Sequence, residues 1–250
     1  MDDHAQTASP IPTLELVVAR YDEDLGWLRR VPNAFRVTVY DKSGSADQGI
    51  ALPNIGNETH TYFQHLETRY DDLADITVFC QGHPFDHVPS LHRQLRELAE
   101  GTLTIRNGFH WLGFIIDEDD PTGSRVFQSW SKNTDHRPLD MAGFWHALWP
   151  APVPERFTFY PGGQFMLTAE QAHAQPRDFY AQAKRVCTEH PDGGHCFERC
   201  WDRVFGVNGI PEEFRDREFP VYLRPIRRLG LTWDTVPPEH RGWGEEDAER

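Results

Sequence analysis

Leu14-Glu15-Leu16-Val17-Val18-Ala19-Arg20-Tyr21-Asp22-Glu23-Asp24-Leu25-Gly26-Trp27-Leu28 opens as an apolar run of strand length and turns within three residues into an acidic stretch. Carboxylates at Asp22, Glu23 and Asp24 suit the start of a short helical turn, because the helix dipole favours negative charge there. Phe35-Arg36-Val37-Thr38-Val39-Tyr40 follows with β-branched and aromatic enrichment and reads as a second strand. Strand, helical turn and strand in this order imply parallel pairing.

The pattern repeats downstream. Asn57 offers a helix cap, and Tyr62, Phe63, Leu66, Tyr70 and Leu73 recur at helical spacing. Ile76-Thr77-Val78-Phe79-Cys80 is mostly apolar, as a strand covered on both faces would be. Pro89 to Glu100 reads as the next helix. From Gly101 to Glu155 the pattern loosens, with one or two strands such as Gly113-Phe114-Ile115-Ile116 among loops. Arg156 to Tyr160 and Gln164 to Leu167 flank a Pro161-Gly162-Gly163 turn. Helical sequence then runs from Ala169 to Glu189 with a break at Pro176. Phe197, Cys200, Trp201, Val204 and Phe205 make one apolar stripe along a last helix, Cys196 to Phe205. The expected fold is a single α/β domain over residues 13–235, a three-layer sandwich around a mostly parallel sheet, with 1–12 and 236–250 as flexible termini.

Composition narrows the function. A formal net charge of −14 over 250 residues repels phosphate backbones and argues against bulk nucleic-acid binding. No apolar run has the length of a membrane span, and the first dozen residues lack the basic start and apolar core of a secretion signal, so a soluble cytoplasmic protein is expected. Cys80, Cys187, Cys196 and Cys200 lack paired C-x-x-C spacing and read as free thiols.

In open parallel sheets ligands sit beyond the carboxyl ends of the strands. The loops after Ala19, Tyr40 and Cys80 carry Arg20, Glu23, Asp41, Lys42, Gln81, His83, Asp86 and His87, which parallel pairing would gather on one edge. For His83, Asp86 and His87 three readings stand open. They are ligands to a metal, although Pro84 breaks the regular helical spacing and no fourth ligand is evident. They are a histidine base with its carboxylate. Or Asp86 caps the following helix while the histidines bond backbone. Glu23 is either a turn carboxylate or a hydrogen-bonding partner for a sugar hydroxyl. Gly162 and Gly163 serve a turn or let backbone approach a ligand. Glu198, beside the apolar stripe, is the charge on its helix best placed to face a cleft.

The run from Glu15 to Leu28, the strand Val37-Thr38-Val39-Tyr40-Asp41-Lys42, Leu52-Pro53-Asn54-Ile55-Gly56-Asn57-Glu58, Thr77 to His87, Phe159-Tyr160-Pro161-Gly162-Gly163-Gln164-Phe165 and Phe197 to Gly206 together resemble an uncharacterised domain family widespread in fungi and present in bacteria. That family in turn resembles compact GT-A type glycosyltransferases, whose sheet binds a nucleotide sugar across its strand ends. The resemblance implies a transferase with a nucleotide-activated donor. His83, Asp86 and Glu198 would act as catalytic groups, and Arg20, Glu23, Asp41, Gln81, His87, Gly163 and Gln164 would bind donor or acceptor. Where those enzymes carry an Asp-x-Asp motif for a divalent metal, this chain has Gln81-Gly82-His83, so no metal ligands are assigned. Two further functions are weighed: formation of arginine-containing cyclic dipeptides from aminoacyl-tRNA, which would make tRNA a partner, and a non-catalytic ligand-binding domain.

Overall fold

The computed structural model describes residues 11–45, 48–215 and 217–242. The expected loose ends at 1–10 and 243–250 lie outside those residues. Beyond residue 235 the described chain packs, with Val236 buried.

Among the described residues nine strands and seven α-helices follow in chain order. The strands are β1 (Leu14–Arg20), β2 (Phe35–Asp41), β3 (Ile50–Ala51), β4 (Ile76–Gln81), β5 (Phe109–Trp111), β6 (Ile115–Asp119), β7 (Phe157–Phe159), β8 (Phe165–Thr168) and β9 (Val221–Tyr222). The helices are α1 (Asn57–Thr68), α2 (Leu91–Ala99), α3 (Met141–Leu148), α4 (Ala169–Ala172), α5 (Arg177–Glu189), α6 (Gly193–Glu198) and α7 (Trp201–Val204). The main sheet has the order β3-β2-β1-β4-β8-β5, and a small sheet has the order β7-β6-β9.

β1, β2, β3 and β4 are parallel, as the opening stretch implies. β8 runs antiparallel to both β4 and β5, so the sheet is mixed where a mostly parallel one was expected. The reason is where the chain re-enters. It arrives from β7 in the small sheet, turns at Gly162 and Gly163 beside the carboxyl end of β4, and can only run back, pairing Phe165 with Phe79 and Thr168 with Ile76. The Pro-Gly-Gly segment is a turn, but the strands it joins lie in different sheets.

Alternation along β1 explains the layers, since successive side chains point to opposite faces. Leu16 and Val18 pack with Leu91, Leu95 and Leu98 of α2 and with Trp27 and Leu28. Val17 and Ala19 pack on the other face with Tyr62, Phe63, Phe197 and Trp201. The 3-10 turn Gly26–Arg30 thus lies on one face and α1 on the other. The loops that leave β1, β2 and β4 gather at the carboxyl edge of the sheet, where open α/β folds bind their ligands.

The Cys196 to Phe205 stripe is fully buried but belongs to two short helices, because Cys200 leaves helical geometry (φ −145°, ψ 24°). The loose region after Gly101 holds α3, capped by Asp140 Oδ1 accepting from the Gly143 N–H at 2.8 Å. Among the described residues no helix is long and apolar enough to cross a membrane.

Candidate functional site

Two adjoining hollows of about 450 Å³ each form one cleft along the carboxyl edge of β1, β2 and β4. Asn57, Glu58, Gln81 and Lys132 line both, so they mark its middle.

Glu58 stands in the first turn of α1, and the entrance to that helix is built around it. The chain passes through Gly56 (φ 60°) and Asn57 (φ 49°), both left-handed. A Cβ on Gly56 would lie 2.8 Å from Cys187 Sγ, so only glycine fits. The buried Lys42, just past β2, donates Nζ to the Ile55 carbonyl at 2.6 Å and to the Asn57 carbonyl, fixing this turn. Burial pushes the Lys42 ammonium down to about 8.

Glu198, at the end of α6, faces the same hollow. Its Oε1 accepts the Gly162 N–H at 2.6 Å, and its Oε2 lies 3.9 Å from His195 Nδ1 and 3.5 Å from Arg199 Nη1. Burial works to raise the Glu198 carboxyl, but the His195 hydrogen bond, the Arg199 charge and the Gly162 N–H outweigh it and hold it down at about 2. Burial, with the Glu198 charge adding to it, lifts Glu58 from 4.5 to about 7. Two carboxyls in one cleft thus differ at neutral pH: one fully ionised, the other poised between its two forms. Beneath Gly163, Trp201 Nε1 is a buried donor with no hydrogen-bond partner among the described residues.

The roof comes from the segment between β6 and α3. Asp119, 1% exposed, accepts the N–H groups of Arg125, Val126 and Phe127 and bonds Arg199 at 3.1 and 2.8 Å. This hangs Val126, Phe127, Trp130 and Lys132 over the cleft. The His195 ring sits edge-on to Trp130 at 4.7 Å.

The residues singled out from sequence fall into three groups. Glu198 and His87 line one hollow, Arg20, Glu23 and His83 line the other, and Gln81 lies between them. Asp41 is buried behind the cleft and orients Arg20 through a 2.9 Å ion pair; Gln164 is buried too, and it bonds the backbone of Gln81 and Pro84. Both act on the cleft through neighbours and do not face it. Asp86 is 66% exposed, 3.8 Å from His83 and 3.5 Å from Arg228; it does not cap α2, whose first turn follows Ser90. His87 turns away from that pair and packs under Gly162, so the three do not converge as a ligand set. Among the described residues no group of three or more His, Cys, Asp or Glu is arranged to hold a metal ion.

Gly162 and Gly163 both take positive φ, +100° and +59°. A Cβ on Gly162 would lie 2.4 Å from the His87 ring. Gly162→Ala is therefore expected to destabilise by about 1–3 kcal/mol and to displace the N–H that Glu198 accepts. An unchanged thermal melt would show that the turn relaxes without cost.

Glu58, Trp130, Lys132 and His195 were not singled out, and Lys42 was placed on the edge without a role. Glu58 was hidden by its position, since an acidic residue in a first helical turn is the ordinary complement to the dipole. The roof residues sit in sequence without periodicity, and nothing local announces that they fold over the sheet edge.

A family model described as "Protein of unknown function (DUF3431)" matches residues 16–214. No curated protein and no solved structure matches the chain.

Proposed function

The chain belongs to this family of unknown function, and we propose that it is a transferase moving a group from an activated donor to an acceptor in the Glu58–Glu198 cleft, with glycosyl transfer from a nucleotide sugar as its first form. The observation that carries the reading is the pair of cleft carboxyls with pKa values pushed apart, to about 7 and about 2. The cleft at the carboxyl edge of the sheet supports the reading, since that is where the GT-A resemblance would seat a nucleotide sugar. Trp130, 38% exposed at the cleft, offers an aromatic face suited to a sugar ring.

In this reading Glu58 in its carboxylate form takes the acceptor hydroxyl proton. As the acceptor oxygen bonds to the donor carbon, the bond from that carbon to the leaving phosphate oxygen breaks and its electron pair departs with the phosphate. Glu58 then releases its proton to water. Arg20 and Lys132, cations lining the adjoining hollow, face the leaving group's charge. Glu198 stays ionised and opposes positive charge developing on the donor carbon.

A second reading, amide formation from aminoacyl-tRNA, draws on that same ionised Glu198, which is a seat for a cationic side chain. A thermal-shift screen with nucleotide sugars, with and without manganese, beside a binding assay with charged and uncharged tRNA separates the two, because a ligand of the native state raises its stability. A shift with a nucleotide sugar supports glycosyl transfer. Binding of charged tRNA alone replaces it with the second reading, and silence in both arms removes both.

A further inference from the structure

On the face of the sheet carrying α2, a separate groove of about 590 Å³ lies between the 3-10 turn Gly26–Arg30 and that helix. Arg29 and Arg30 line it from the turn, and Arg93 and Arg96 from one face of α2, all four exposed. Residues three apart on a helix are neighbours, so the α2 pair presents two guanidinium forks side by side. A fifth arginine, the half-buried Arg224, reaches Ser90 Oγ at the helix start. Burial and the charge of Arg93 bring Arg224 down to about 10.

Negative charge in the groove is sparse. Asp24 lines it, but its Oδ1 already accepts the Gly26 N–H at 2.8 Å. Glu97 lies 3.6 Å from Arg93, and among the described residues no carboxylate is within ion-pair distance of Arg30 or Arg96. Such a gathering of arginines on a chain of net charge −14 is a local reversal of the whole protein's field.

We propose that this groove binds a small ligand bearing two or more adjacent phosphate groups. Arginine forks match phosphate oxygens two at a time. Four forks facing each other across a groove exceed what one phosphate can engage. A groove volume of about 590 Å³ lies in the range of small-molecule sites. A long polyanion would be opposed by the net charge of −14 on the chain as a whole. Trp27 and Phe85, with ring centroids 5.6 Å apart, add an apolar wall for the organic part of the ligand. The groove stands on its own residues and shares none with the Glu58–Glu198 hollow.

Titration calorimetry of the full chain at low salt tests the proposal with pyrophosphate, inorganic phosphate, citrate and a short RNA hairpin. Pyrophosphate is expected to bind tighter than phosphate or citrate, and the double variant Arg30→Ala/Arg96→Ala to weaken it about tenfold or more while melting like the wild type. Glu58→Gln is expected to bind pyrophosphate unchanged, so loss of the group-transfer reading leaves the groove untouched. Absence of pyrophosphate binding, equal binding of citrate, or full affinity in the double variant would overturn the proposal. So would binding of the RNA hairpin without pyrophosphate.

Discussion

Glu58→Gln is expected to lower turnover by about 10²–10⁴-fold, the usual contribution of a positioned acid or base, while the protein stays folded. The same substitution gives a second readout, independent of catalysis. Glu58 titrates near 7 in the folded chain and near 4.5 when unfolded. Between those values the folded state holds a proton the unfolded state has lost. The raised pKa therefore contributes stability that is complete below 4.5 and is lost as pH rises through 7. At pH 8 the wild type carries a half-buried carboxylate that glutamine replaces without charge. The variant is expected to melt higher there, by on the order of 2 kcal/mol, and no higher at pH 4. Glu198, held at about 2, behaves oppositely: its contribution is present above 4.5 and is lost as pH falls toward 2. The wild-type pH–rate profile is expected to rise with a midpoint near 7, and that limb should vanish in Glu58→Gln. Retained activity in the variant, or an unaltered profile, would remove Glu58 from the chemistry.

Asp119→Ala is expected to give the largest loss of stability. Asp119 and Arg199 are both almost fully buried and bonded at 2.8 and 3.1 Å, with the Arg199 guanidinium 4.9 Å from the Phe159 ring centroid. Removing one partner of such a pair strands the other, at a cost of about 3–5 kcal/mol. For a chain of this size that corresponds to roughly 10 °C of melting temperature. Replacing both with apolar residues, Asp119→Leu with Arg199→Met, should recover much of the loss, since no charge then remains buried unpaired. The backbone donors of residues 125–127 stay without their acceptor, so recovery is expected to be incomplete. A single variant as stable as wild type would mean that water reaches the guanidinium.

The parallel half of the fold is readable from β1, β2 and β4 because each is a short apolar run followed by polar loop residues, and the helical spacing of Tyr62, Phe63 and Leu66 fixes what covers them. The direction of β8 is not readable. Phe165-Met166-Leu167 has the same apolar character whichever way it runs, and its direction depends on where a long excursion through a second sheet delivers the chain. Likewise the edge that carries the cleft is legible in Arg20, Glu23 and Gln81, which lie in or just after strand ends. Glu58 follows a helix cap and looks like any dipole-complementing acid. Glu198 was legible because it flanks a stripe of buried residues. Asp41 and Gln164 follow or flank strands in the same way, but burial directs them to Arg20 and to backbone.

The three roof amides share a single acceptor. Arg125, Val126 and Phe127 all donate to Asp119, and no second carboxylate takes over if that one lets go. Loss of that one acceptor would free all three together, so in hydrogen exchange the three amides are expected to share one protection factor rather than fray from the ends inward.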